Sequence, residues 1–222
     1  MKGKRGSHVG VIASFTIFIM FLIGLYFSIQ PLLKDQKDKD LLLDKLKDRL
    51  FDEMSNNLTV AVISTSSGTC LKLSNSDVDV SGARAIVKDD GGTEIISGYD
   101  GSNLIIQAGS QTALWVYYAQ EFQVNSGVDT SCVSPAIKSV RQTYEIFEKK
   151  VADAVNNYAQ IKASMNLQKF SDLGYSFEYN NGTSVSVGNP PSSGQIYAEE
   201  IPIQYINGKA NSLSGKLTIK AW

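Results

Sequence analysis

An uninterrupted apolar segment near the N-terminus constrains this 222-residue chain more than any other feature. Residues 9–29 read VGVIASFTIFIMFLIGLYFSI, with no charged residue and no proline. Because an α-helix rises about 1.5 Å per residue, roughly 20 such residues cross a hydrocarbon core of about 30 Å. Residues 9–31 are therefore predicted to form a transmembrane helix in contact with membrane lipid through residues 9–29.

The residues around this segment indicate an uncleaved membrane anchor. A basic tail, residues 1–8, contains Lys2, Lys4 and Arg5, and no small-residue cleavage site closes the apolar segment before Pro31. A cleaved signal peptide and a buried core helix are the alternatives. Long domains that follow a membrane segment are translocated largely regardless of charge. The N-terminus is therefore expected in the cytoplasm, and the bulk of the chain outside the cell membrane.

Residues 32–55 are predicted to continue as a helical stalk, charged at first and amphipathic later. The segment KDQKDKD at 34–40 lacks the turn-forming residues of a calcium loop, so it is interpreted as solvated helix. An apolar face follows at spacings of three and four, and it must be covered by another surface. Either the distal domain or a neighbouring copy covers it, and in the second case it is an assembly face. This face consists of Leu43, Leu46, Leu50 and Met54.

Residues 56–222 are predicted to form a β-rich extracytoplasmic domain. Short β-type runs alternate with turn residues, which is typical of an antiparallel, sandwich-like sheet. Asp89-Asp90-Gly91-Gly92 and Asn180-Asn181-Gly182 are expected hairpin turns. The segments 196–206 and 213–222 are expected to pair, with Pro202 marking an edge strand.

Between these β-type runs, apolar residues recur at spacings of three and four, which predicts one long inserted helix over residues 135–172. Ser134 is a suitable N-cap, and Pro135 suits the first helical position. Either this helix lies on the domain's own sheet, or it contacts residues 41–54 of the same chain or another copy. The predicted fold class is α+β. The apolar positions at spacings of three and four are Ile137, Val140, Tyr144, Phe147, Val151, Ala154, Tyr158, Ile161 and Met165.

The two cysteines of the chain, Cys70 and Cys132, are predicted to form a disulfide, which requires an oxidising compartment. The alternative is two unrelated buried thiols. With His8 as the one histidine, neither a Cys/His zinc site nor a histidine-dependent nucleophile is available in the distal domain.

No catalytic residue, metal ion or cofactor is expected. The net charge of −1 provides no basic field for nucleic acid. No phosphate-binding glycine motif is present, and the neighbours Glu199 and Glu200 point to opposite faces of a strand. An aromatic run is interpreted as strand packing, with a binding surface as the alternative. The run consists of Trp115, Tyr117, Tyr118 and Phe122.

Lys4-Arg5-Gly6, a short basic leader ending in glycine, is followed closely by the apolar segment. This start resembles type IV pilin-like proteins, including archaeal ones. The resemblance implies cleavage between Gly6 and Ser7 by a membrane peptidase. It also implies an apolar helix packed in a filament core, with an amphipathic continuation that carries a β-rich head. Bacterial members carry a glutamate shortly after the cut, whereas residues 7–11 contain none.

The expected function is that of a non-enzymatic, membrane-anchored surface protein, a structural or interaction module such as a pilin-like filament subunit. Its expected partner is another protein or a second copy of the chain. A membrane-tethered accessory or sensor domain that binds a protein or glycan is the main alternative, and an anchored hydrolase is the third.

Overall fold

The computed structural model describes residues 7–64, 70–80, 82–123, 132–165, 172–192, 194 and 196–222. The chain divides into two compact units, Met1–Lys45 and Leu46–Trp222. Helix α1, Ser7–Met54, is continuous over 48 residues. The predicted transmembrane helix and stalk are therefore parts of one helix, and the last turns of that helix belong to the second unit.

The first unit contains the apolar span Gly10–Gln30, 21 residues with a mean hydropathy of 2.3 and no buried positions. The hydroxyls of Thr16 and Ser28 donate hydrogen bonds of 2.9 Å to the carbonyls of Ile12 and Gly24. These polar groups are therefore satisfied within the helix, as an apolar medium requires. The span is long and apolar enough to cross a membrane.

The second unit is rich in strands, and two short helices follow its eighth strand. The helices are α2, Glu148–Asn156, and α3, Tyr158–Ser164. The strands are β1 Ser55–Ser64, β2 Leu71–Ser74, β3 Arg84–Lys88, β4 Glu94–Ile95, β5 Ser97–Asp100, β6 Asn103–Ile106, β7 Ala113–Ala119, β8 Ala136–Ile146, β9 Leu173–Glu178, β10 Ser184–Val187, β11 Tyr197–Ile206 and β12 Ser212–Ala221.

The strands form three antiparallel sheets. Their orders are β4-β3-β7-β1-β8, β10-β9-β12-β11 and β2-β6-β5. Strands β9 and β10 flank the predicted Asn180-Asn181-Gly182 turn, and β11 pairs with β12 along its whole length. The predicted α+β class with a mainly antiparallel β head is confirmed. Strand β11, which contains Pro202, lies at an edge of its sheet, as predicted.

The five-stranded and three-stranded sheets share one apolar core. Alternate residues of β1, β3 and β7 face β2 and β6, which is the sandwich arrangement expected from alternating strands. The most buried members of this core are Ala61, Ile63, Leu71, Leu73, Val87, Leu104, Ile106, Leu114, Val116 and Tyr118.

Helices α2 and α3 are held to the four-stranded sheet by two tyrosine hydroxyls. Tyr175 donates a hydrogen bond of 2.7 Å to the carbonyl of Ala154, and Tyr158 donates one of 2.6 Å to the carbonyl of Leu173. Over residues 216–221 of β12, half-buried and buried residues alternate. The sheet thus has one buried face.

The predicted long helix over residues 135–172 is wrong in its first third. Residues 136–146 form β8, and the helical structure that follows is divided into α2 and α3 at Asn157. The predicted helical packing is correct only for apolar positions within α2 and α3, of which Val151, Ala154 and Ile161 are buried. Residues 166–171 lie outside the described chain.

Candidate interaction surface

Strand β8 lies at one edge of the five-stranded sheet. Its inner side pairs with β1, so that Ala61 lies opposite Val140 and Asn57 opposite Tyr144. No other described strand pairs with its outer side. The outward N–H and C=O groups of a strand in this position are available to a further strand.

This strand is exposed on both faces, unlike its neighbours. None of its residues before Ile146 is buried, and none belongs to a described core cluster. Val140 is 47% exposed and Tyr144 is 59% exposed. Large side chains of this kind normally lie against other apolar groups, so their exposure in one strand marks a surface that can bind a partner.

The exposed apolar side chains share one face because of a bulge. Val62 pairs with Ser139 and Ile63 pairs with Ile137, which leaves Lys138 as an extra residue. The extra residue returns Ile137 to the face that Val140 occupies, although the two are three positions apart. The apolar stripe, defined here as Ile137, Val140 and Tyr144, therefore runs along a single face of β8.

The opposite face of β8 is polar. Residues at odd positions, including Arg141, Thr143 and Glu145, pair with the other set of β1 residues. A strand with one apolar face, one charged face and an open edge offers main-chain hydrogen bonds together with side-chain selectivity. These are the components of recognition by an added β-strand.

Two tethers fix the ends of β8. The disulfide joins Cys132, four residues before the strand, to Cys70, with Cα atoms 4.7 Å apart. At the other end, Phe147 N–H donates a hydrogen bond of 3.0 Å to the carbonyl of Met54. The exposed strand is therefore part of the folded unit. The predicted Cys70–Cys132 disulfide is confirmed.

A cleft of about 590 Å³ is the second candidate site in the unit. Its Glu121 carboxylate accepts a hydrogen bond of 2.7 Å from the Asn56 amide through one oxygen. The other oxygen, Oε2, is buried and has no hydrogen-bond partner among the described residues. The described lining holds no histidine, cysteine or serine.

Two tyrosines form one wall of this cleft. The Tyr205 hydroxyl donates a hydrogen bond of 3.1 Å to the Asn180 side-chain oxygen. Burial raises the pKa of the Tyr179 hydroxyl, and the nearby Glu148 carboxylate raises it further. The Tyr179 phenol is therefore a neutral donor at physiological pH. No group of three or more metal-ligating side chains is found in the described part of the chain.

A buried lysine lies apart from this cleft. The Lys88 ammonium donates to the Ala210 carbonyl at 2.7 Å and to the Asn211 side-chain oxygen at 2.6 Å. Its nitrogen lies 5.4 Å from the centre of the Tyr117 ring. Burial lowers the pKa of Lys88, whereas Glu94 raises it. The ammonium joins β3 to the β11–β12 turn, which is a structural role.

Three of the four residues of the predicted assembly face are covered within the second unit. Leu46, Leu50 and Met54 are fully buried, and Leu43 is 6% exposed. Of the two alternatives, covering by a neighbouring copy does not hold for Leu46, Leu50 and Met54, because side chains without exposed area cannot reach another molecule. The three later residues are core residues of the second unit.

The remaining predicted residues have mixed outcomes. Gly6 lies outside the described residues, and Ser7 begins α1, so the predicted cleavage stays a prediction. In β7, Tyr118 is buried, whereas Trp115 and Tyr117 are half-buried on the other face, which is the expected strand alternation. Sequence reasoning missed the apolar stripe as a surface, although its residues were noted.

Comparison with known proteins adds no relative. No family model, curated protein or solved structure matches this chain.

Proposed function

We propose that this chain is a single-pass membrane protein, with its N-terminus in the cytoplasm and its β-rich unit outside the cell as a structural or interaction module. The proposal rests on one observation, that no residue of the apolar span Gly10–Gln30 is buried. An apolar helix of this length is stable only where hydrocarbon or another apolar surface covers it.

Two further features support the location and the role. The Cys70–Cys132 disulfide is stable in an oxidising compartment, which favours export of the β-rich unit. The open edge of β8 favours an interaction role, because unpaired main-chain groups and alternating side chains are the components of recognition by an added strand. We further propose that the chain is a pilin-like filament subunit whose apolar helix packs against other copies.

Extraction of membranes with alkaline carbonate tests the anchor. The double variant Ile19→Arg/Leu22→Arg places two charges near the middle of the span, each unfavourable by about 3 kcal/mol at a helix centre. Wild type should stay in the membrane pellet, and the double variant should be released. Leu41→Arg is the matched control, because Leu41 is an exposed apolar residue of the same helix beyond the span. Release of the wild type would contradict the proposal.

Labelling of intact cells with a membrane-impermeant amine reagent tests the orientation. Lys138 and Lys149 are exposed in the β-rich unit, so peptides that contain them should be labelled before lysis. Labelling that appears only after lysis would place the unit in the cytoplasm. Mass spectrometry of the mature N-terminus tests the pilin-like form, which requires a chain that begins at Ser7.

A further inference from the structure

The open edge of β8 has defined limits. The bulge at Lys138 interrupts its regular pairing at one end. At the other end Ile146 is buried, and Phe147 forms a bridge with Ile206. The regular segment available to a further strand is therefore 139–145, and its midpoint is Gln142.

We infer that this edge pairs with the same edge of a second copy, antiparallel and with Gln142 opposite Gln142. The inference rests on the proposed role as an interaction module and names its partner. In antiparallel pairs, side chains that lie opposite each other share a face. A two-fold axis through Gln142 therefore brings like faces of the two β8 strands together and uses the whole regular segment.

The apolar stripe is complementary to itself in this register. Val140 and Tyr144 lie two residues before and two residues after Gln142. Val140 of each copy is therefore opposite Tyr144 of the other, and the contact occurs twice. Pairs of an aromatic and a β-branched side chain across strands are among the favourable ones. Both side chains are exposed in the single copy and become neighbours in the pair.

The charges on the other face agree with the same register. Arg141 lies opposite Thr143 of the second copy, and its two diagonal neighbours on that face are the second copy's Glu145 and Arg141. Two Arg–Glu diagonal pairs result, one on each side of the axis, and they outnumber the single Arg–Arg diagonal pair that crosses it. The strand thus carries both members of a charge pair for a copy of itself, which favours a second copy over an unrelated partner.

Neighbouring registers are less favourable. A shift that places Arg141 opposite its own counterpart puts like charges together. A shift by one residue sets the apolar stripe of one copy against the polar face of the other. A shift toward the C-terminal end requires the buried Ile146 to pair. The centred register avoids all three.

Disulfide trapping tests the inference on the full-length chain in its membrane. Both native cysteines are bonded to each other, so Gln142→Cys introduces one free thiol. Opposite residues in the proposed pair have Cα atoms within disulfide range. Gln204→Cys is the matched control, an exposed glutamine in the edge strand β11. We expect the disulfide-linked dimer of Gln142→Cys to form at least about tenfold faster than that of Gln204→Cys, because pairing raises the effective thiol concentration.

A charge exchange tests the register. Arg141→Glu should slow the trapping of Gln142→Cys, since each copy then presents two carboxylates and no guanidinium at the diagonal positions. Adding Glu145→Arg should restore the rate, because the exchanged pair is again complementary. Equal thermal unfolding midpoints among the variants would show that the β-rich unit stays folded. If the double exchange traps as slowly as Arg141→Glu, the register is wrong.

The membrane extraction separates this inference from the proposed function. An anchored chain in which Gln142→Cys traps no faster than Gln204→Cys overturns the pairing and leaves the anchor intact. Rapid trapping in a chain that carbonate releases overturns the anchor and supports the pairing. A Gln142→Cys product linked to a different protein also overturns the inference, because the edge then has another occupant.

Discussion

The Cys70–Cys132 disulfide is expected to supply much of the stability of the β-rich unit. It joins the start of β2 to the segment before β8 across a sequence separation of 62 residues. We consider the double variant Cys70→Ala/Cys132→Ala. In the chain-entropy model, a crosslink that closes a loop of this length lowers the entropy of the unfolded chain. The folded state is thereby stabilised by about 4 kcal/mol at 25 °C. Since small domains are stable by about 5–15 kcal/mol in total, this loss is large.

Urea unfolding followed by tryptophan fluorescence measures this loss. Both tryptophans, Trp115 and Trp222, lie in the β-rich unit, so the signal does not depend on the apolar span. The free energy of unfolding should be lower by about 4 kcal/mol in the double variant. Wild type treated with a reductant should match it, which controls for the side-chain replacements. A loss below about 1 kcal/mol in both samples would refute the loop argument.

Two further changes test the packing of the same unit. Tyr118→Phe should raise the free energy of unfolding by about 1 kcal/mol, because the buried hydroxyl has no described hydrogen-bond partner. Burial also raises the pKa of Tyr118, with Tyr99 and Asp77 adding to the effect, so the unfolding free energy of the wild type should fall more steeply than that of the variant as pH rises above about 10. Gly188→Ala should lower the unfolding free energy by at least about 2 kcal/mol. The φ of Gly188 is +76°, and a Cβ there would lie 2.6 Å from the Leu173 carbonyl oxygen. Urea titrations at neutral and alkaline pH measure both.

Local signals in the sequence were sufficient for the hairpins and the disulfide. The Asn180-Asn181-Gly182 turn is tight because Gly182 has a φ of +80°, and β9 and β10 pair on either side of it. The same type of signal marks Asp89-Asp90-Gly91-Gly92, where the Thr93 N–H donates to the Asp89 carboxylate at 2.7 Å. Such turns depend on residues within a few positions of each other, so one sequence specifies them.

The cleft could not be predicted in this way. Its lining comes from four separate parts of the chain, near Glu121, Glu148, Asn180 and Asn207. No short spacing connects these residues, because the packing of two sheets brings them together. The buried Lys88 is similar, since its acceptors Ala210 and Asn211 are more than a hundred positions away in the sequence.

The error at residues 135–146 has a specific physical cause in the bulge. Ile137, Val140 and Tyr144 follow each other at spacings of three and four, which is the helical pattern. In a regular strand the first two would point to opposite faces, but the extra residue Lys138 places them on the same one. A bulged strand and an amphipathic helix therefore have the same spacing of apolar residues in the sequence. The β-branched and aromatic composition of the segment was the signal for a strand. Both faces of the strand are exposed, so the apolar spacing follows from the bulge and not from a buried helical face.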